Sequence, residues 1–190
     1  MEDFVATPDW SRIPAPADDG ATRHLWGSRV PSVSLPATDG TEVDLSPLRG
    51  RTIVYAYPRT GRPDIPNPDG WDMIPGARGC TPQSCSFRDH FPELKALGVD
   101  HVFGLSTQDP GYQREAAERL HLPFPLLSDE RLSLTRAMNL PTFEVEGMTL
   151  LKRFTLLIEN GTIAHVFYPV FPPDRSAADV IAFLSGAVRQ

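Results

Sequence analysis

Cysteine is scarce in this chain: Cys80 and Cys85 are its two thiols. That excludes a scaffold of structural crosslinks, which needs several pairs. A Cys-x-x-Cys motif is also missing, and with it the spacing at which two thiols pair with little helix unwinding. No apolar run reaches the length of about 18 residues that a transmembrane helix needs. A net charge of −6 and a pI near 5.3 lack the basic excess that nucleic-acid or anionic-membrane binding calls for. The first residues, Met1-Glu2-Asp3-Phe4, lack the basic and then apolar regions of a secretory signal. The expectation is a reducing, cytoplasmic setting, where thiols are more often catalytic than structural. There is no internal repeat.

Proline, by contrast, is abundant, at 20 residues in 190. The length suits one domain with added decoration, and 41 % hydrophobic content can build its core. The prolines gather in three places. Residues 1–29 show no sustained periodicity and read as an extended arm, with Phe4, Trp10, Leu25 and Trp26 available to anchor it. Residues 58–79 carry Pro58, Pro63, Pro66, Pro68 and Pro75 and read as a long loop, either walling a reaction site or forming a surface insertion. The third cluster is Pro169, Pro172 and Pro173.

Between these stretches the pattern alternates. Val33, Leu35, Val43 and Leu45 flank the Asp39-Gly40 turn and predict a β-hairpin. Residues 51–57 form a β-branched and aromatic run that suits a strand buried on both faces. A helix is expected from Thr81-Pro82, as N-cap and first helical residue, to about Leu97, with Gly98 as its stop. Strands are expected over 99–105, 124–127, 150–159 and 162–167, the last two joined by the Asn160-Gly161 turn. Helices are expected over 112–120, from a Ser128 cap to about Met138, and from Asp174 onward with Val180, Ile181, Phe183, Leu184 and Val188 in helical spacing. Strands separated by helices imply parallel crossovers, and the final hairpin adds an antiparallel pair. The fold class is α/β, a mixed central β-sheet flanked by helices in a thioredoxin-like layout, with an N-terminal hairpin and an arm. The domain spans residues 30–190.

Cys80 opens the first main helix, where free N–H groups and the helix dipole stabilise an anion and raise the thiolate fraction. It is the expected nucleophile, with Arg78 nearby. Cys85 lies about one turn on. Residues five apart on a helix have Cα atoms roughly 8.6 Å apart, whereas a disulfide needs about 4.4–6.8 Å. Pairing therefore requires the first turn to unwind. The alternative of two inert buried thiols fits poorly with the capping residues around Cys80. A metal site recruiting His90 fits no common zinc spacing.

The run Gly79-Cys80-Thr81-Pro82-Gln83-Ser84-Cys85-Ser86-Phe87-Arg88-Asp89 resembles the Gly-Cys-Thr-x-Gln-x-Cys-x-x-Arg-Asp run of peroxiredoxins of the Q type (bacterioferritin comigratory protein). The resemblance extends from about Val30 to Leu184. It includes Leu35-Pro36-Ala37-Thr38-Asp39-Gly40, Gly104-Leu105-Ser106-Thr107, Leu126-Leu127-Ser128-Asp129 and the segment from Lys152 to Ile158. It implies that Cys80 is the peroxidatic cysteine, becoming a sulfenic acid, and Cys85 the resolving cysteine that forms an intramolecular disulfide. It further implies a peroxide substrate, a thioredoxin-like dithiol reductant and no bound cofactor. Arg153 matches the family arginine that holds thiolate and peroxide, a task suited to a fixed, directional guanidinium. The family's hydroxyl, three residues before the nucleophile, is replaced here by Ala77, which leaves three alternatives: Thr60 as donor, Thr81 as donor, or no hydroxyl donor. A monomer is the default expectation, with a dimer as the alternative. Two other functions compete: a thiol–disulfide oxidoreductase acting on proteins, and a redox-sensing interaction module.

Overall fold

The structure, a computed structural model, describes residues 8–186. Phe4 and Val188 lie outside that range. The elements in chain order are β1 (Ser34–Pro36), β2 (Glu42–Asp44), β3 (Arg51–Ala56), α1 (Cys80–Asp89), α2 (Phe91–Ala96), β4 (Val99–Ser106) and α3 (Pro110–Arg119). They continue with β5 (Leu126–Ser128), α4 (Ser133–Met138), β6 (Thr142–Val145), β7 (Met148–Leu151), β8 (Phe154–Glu159), β9 (Thr162–Phe167) and α5 (Ser176–Leu184).

Five strands form a mixed sheet in the order β5-β4-β3-β8-β9. β3 runs parallel to β4 and antiparallel to β8, and β9 returns antiparallel beside β8. The β-branched and aromatic run in β3 alternates across the sheet as a doubly covered strand must. Ile53 and Tyr55 face one core with Phe87, Leu94, Ala116 and Val180, from α1, α2, α3 and α5. Val54 and Ala56 face a second core with Leu134 and Met138 of α4, Leu35 of the β1–β2 hairpin, and Leu25 of the arm. This is the thioredoxin-like arrangement expected from the order of elements. Tyr55 stacks on Phe87 with centroids 4.4 Å apart and planes 7° from parallel, which pins the middle of α1 to the sheet.

Several boundaries differ from the sequence expectation, each for a local reason. Helix α1 begins at Cys80, with left-handed Gly79 (φ 112°) as its N-cap, so Thr81 is not the cap. Pro82 is tolerated at the third helical position because no N–H of the first turn has an intrahelical acceptor; the first helical bond is Gln83 N–H to Gly79 O, 3.0 Å. The helix expected to reach Leu97 divides at His90, since Pro92 has no N–H to continue the ladder. Helix α3 starts at Pro110, with Asp109 accepting from Tyr112 N–H. The long strand expected over 150–159 is broken at Lys152-Arg153, and residues 142–151 form a separate β6–β7 hairpin. A single 3₁₀ turn, Pro173–Arg175, precedes α5.

The arm carries two 3₁₀ turns, Trp10–Arg12 and Arg23–Leu25, and reaches the domain edge, where Val30 N–H donates to Gly161 O at 2.9 Å. The 58–79 loop is packed: Trp71 and Ala77 are buried against Leu150, with Phe143 and Met148 beside them.

Ser128 does not cap α4; its hydroxyl donates to Gln108 O at 2.7 Å. The N-cap position is left-handed Leu132, and the first-turn donors are met by Asp129, whose buried carboxylate accepts from Leu134 N–H (3.0 Å), Thr135 N–H (2.7 Å) and the Thr135 hydroxyl (2.6 Å). Replacing it leaves buried donors unsatisfied. Asp129→Ala is expected to lower unfolding stability by about 1–3 kcal/mol in a urea titration. A loss below about 0.5 kcal/mol would remove Asp129 from this role.

Candidate active site

Tyr57, Pro58 and Arg59 leave the carboxyl end of β3, the end of a parallel strand at which α/β sheets build their sites. The long loop then departs and returns at Gly76–Gly79, so its two ends meet at Cys80. Its middle is held away on the β6–β7 hairpin, where Asp69 N–H donates to Glu146 Oε1 at 3.1 Å. Insertion length is thereby absorbed without moving the ends apart.

The Cys80 sulfur is buried, with 3 % of the residue exposed. Capping residues had suggested an exposed thiol, but the helix start is covered by Pro173 and Trp10. The burial is not inert. Arg59 N–H donates to Sγ at 3.4 Å and Arg153 Nη2 donates to it at 3.3 Å. The sulfur also lies 3.6 Å from Ala77 O.

Arg153 is positioned by the break between β7 and β8, and 3 % of it is exposed. Its Nη2 also donates to the carbonyls of Gly76 (3.2 Å), Ala77 (3.1 Å) and Arg78 (3.3 Å), at the returning end of the loop. Its Nη1 donates to Gln83 Oε1, and Gln83 Nε2 is tied to Ser176 Oγ at 3.3 Å. Gln83 is thus wedged between α1 and α5 and orients the guanidinium. The Arg153 Nε–H is buried without an acceptor among the described residues. Nε and Nη2 share one edge of the planar group.

Neither candidate hydroxyl bonds the Cys80 sulfur among the described residues. Thr60 is fully buried, and both its N–H (3.1 Å) and its hydroxyl (3.4 Å) are directed to Gln108 Oε1. Tyr112 OH holds the Thr60 carbonyl at 2.8 Å. Thr81 is partly exposed in the first turn of α1. Among the described residues the donors to Sγ are Arg59 N–H and Arg153. Arg59 escaped the sequence reading because a backbone N–H carries no residue-type signal. Gln83 stands inside the cysteine run, but only the fold reveals that it touches Arg153.

Cys85 is free and partly buried on the same unbroken helix. Burial pushes its thiol up from the ordinary value; Arg88 opposes this and Asp89 adds to it. At neutral pH the second thiol therefore stays protonated while the first sits against two donors. Two sulfurs of unequal reactivity, a fixed guanidinium and an unused donor on its edge suit nucleophilic attack on a small polar bond, followed by resolution within the chain.

The redoxin family model matches residues 26–181. Peroxiredoxin Bcp of Escherichia coli strain K12 is 36 % identical over 146 residues, covering 74 % of this chain and 83 % of that protein. The chloroplastic peroxiredoxin Q of Gentiana triflora is 30 % identical over 162 residues, 85 % of this chain and 67 % of that one. Among solved structures, peroxidoxin BcpB from Mycobacterium tuberculosis aligns with a TM-score of 0.68 at 25 % identity, across 87 % of this chain and 99 % of its own.

The asymmetry of the thiols is measurable. In Cys80→Ser, alkylation of Cys85 is expected to titrate with a midpoint above the ordinary thiol value of roughly 8.5. A midpoint at or below that value would mean that burial does not govern the second thiol.

Proposed function

The chain belongs to the redoxin family, in its peroxiredoxin Q/Bcp group, and from that premise we propose that it is a thiol peroxidase acting through Cys80. The observation that carries this reading is the Cys80 sulfur at the first position of α1, with Arg153 Nη2 at 3.3 Å and Arg59 N–H at 3.4 Å. In the proposed reaction both donors hold the attacking sulfur in place, the guanidinium by a charge-assisted hydrogen bond.

In the proposed reaction the Cys80 thiolate attacks one oxygen of hydrogen peroxide or an organic hydroperoxide. The S–O bond forms as the O–O bond breaks, and the leaving oxygen takes up a proton to become water or an alcohol. The Nε–H of Arg153, on the edge it shares with Nη2, is assigned to the peroxide oxygens, where charge develops as the bond breaks. Arg59 N–H takes the place of the missing side-chain hydroxyl beside the sulfur. Cys85 then attacks the Cys80 sulfenic acid; the S–S bond forms and the oxygen leaves as water. An external dithiol of the thioredoxin kind supplies two electrons and restores both thiols by exchange. The thiols carry all the electrons, so the scheme uses no bound cofactor. The near-complete burial of Cys80 favours a small peroxide over a protein disulfide as the first substrate, which ranks the oxidoreductase reading lower.

The test is peroxide consumption by the reduced protein with a thioredoxin system. Cys80→Ser is expected to abolish turnover. Cys85→Ser is expected to form one equivalent of sulfenic acid and then recycle poorly. Undiminished turnover in Cys80→Ser would sink the proposal. Arg153→Ala is expected to slow the second-order reaction with peroxide by about 100-fold or more, the scale for losing a transition-state donor. An unchanged rate constant would remove Arg153 from the chemistry.

A further inference from the structure

The arm precedes most of the family match, which begins at residue 26, yet it touches each segment that holds Cys80 and Arg153. The indole of Trp10 lies on Gly79, the N-cap of α1: a Cβ built there would meet Trp10 Cη2 at 2.9 Å and Pro173 Cγ at 2.5 Å. Trp10 Nε1 donates to Asp174 Oδ2 at 2.9 Å, and its ring meets Phe171 edge-on at 6.1 Å. Pro16 packs on Gly76, whose carbonyl accepts from Arg153. Asp19 accepts from Lys152 Nζ and from Tyr168 OH, both at 2.7 Å, beside Arg153 in sequence. The Asp19–Lys152 pair is well exposed and contributes little. The half-buried seat of Trp10 is the principal anchor.

We propose that Trp10 is a positioning residue that straps the first turn of α1 in its helical form, and so sets how fast oxidised Cys80 reaches Cys85. This rests on the peroxidase reading above. A helical i, i+5 pair cannot form a disulfide, so one end of the segment has to unwind. The Cys85 end is continuous with Phe87, which is fully buried and stacked on Tyr55. The Cys80 end has no side-chain cap and hinges on a left-handed glycine. The Cys80 end is therefore the one that moves. No clearance separates Gly79 from the indole and Pro173, so moving it breaks the Trp10 seat. The contacts that hold the peroxide-reactive geometry are thus the contacts that delay resolution. Delay has a chemical consequence: a second peroxide molecule can transfer an oxygen to the waiting sulfenic acid, giving sulfinic acid and releasing water or alcohol.

The first measurement is hydrogen exchange of the wild-type protein as dithiol and as the disulfide made with diamide, an oxidant that needs no peroxidase chemistry. Amides of residues 9–20 and of the first turn of α1 are expected to lose protection in the disulfide form, while those of β3 and β8 keep theirs. The second is stopped-flow kinetics with hydrogen peroxide. Trp10→Ala is expected to form the disulfide about three- to tenfold faster after the sulfenic step, the scale of one lost hydrogen bond. It is also expected to give proportionally less sulfinic acid at excess peroxide. Trp10→Phe, which keeps the ring and loses the N–H, is expected to fall between, and serves alone if Trp10→Ala does not fold. Equal arm protection in both redox forms, or a disulfide-forming rate in Trp10→Phe equal to that of the wild type, overturns the strap. Absence of any sulfenic acid overturns the peroxidase reading instead, and the diamide comparison still judges the strap.

Discussion

A buried cation without a carboxylate partner organises this molecule. Removing a guanidinium from water costs several kcal/mol unless its donors are met. Arg153 is nearly inaccessible, and no ion pair among those of the described residues includes it. Three loop carbonyls, the Gln83 amide oxygen and the Cys80 sulfur compensate it. The carbonyl dipoles meet donors on Nη1 and Nη2, leave Nε–H free, and supply no net charge. The one ionisable atom among its partners is the Cys80 sulfur. The loop ends, the start of α1 and the strand break before β8 are mutually placed by this one group.

A second constraint comes from helix geometry. The same straight helix that presents Cys80 to Arg153 keeps Cys85 out of bonding range. A bond between the two sulfurs therefore belongs to a different conformation from the one that holds Cys80 against Arg153. The fold separates them sharply along a few residues: Phe87 is stacked into the core, whereas Gly79 is held from outside by the arm. The middle of the 58–79 loop packs on the β6–β7 hairpin, while its two ends, at Arg59 and at Gly76–Arg78, reach the sulfur and the guanidinium.

Much of the fold was legible from local pattern. The alternation in β3, the Asp39-Gly40 and Asn160-Gly161 turns, and the alternation of strands with helices all follow from local sterics and periodicity. The errors sit where a distant partner outweighed a local signal. Ser128 has the chemistry of a cap, yet the buried donors of α4 lie nearer Asp129. Residues 150–159 read as one strand, yet turning Arg153 inward required a break at Lys152-Arg153. Thr60 carries the hydroxyl that the motif lacks, yet Gln108 engages it.

The sequence by itself determined the sheet's pattern, the family and the pair of cysteines with their unequal places on one helix, because these depend on residues close along the chain. Only the tertiary structure decided which groups touch the sulfur. A backbone N–H from Arg59 and a guanidinium 73 positions downstream meet at the Cys80 sulfur through chain folding, and an indole 69 positions upstream of Gly79 lies on the helix cap. Backbone donors and packed rings act through position in space, and position in space is what a one-dimensional pattern does not encode.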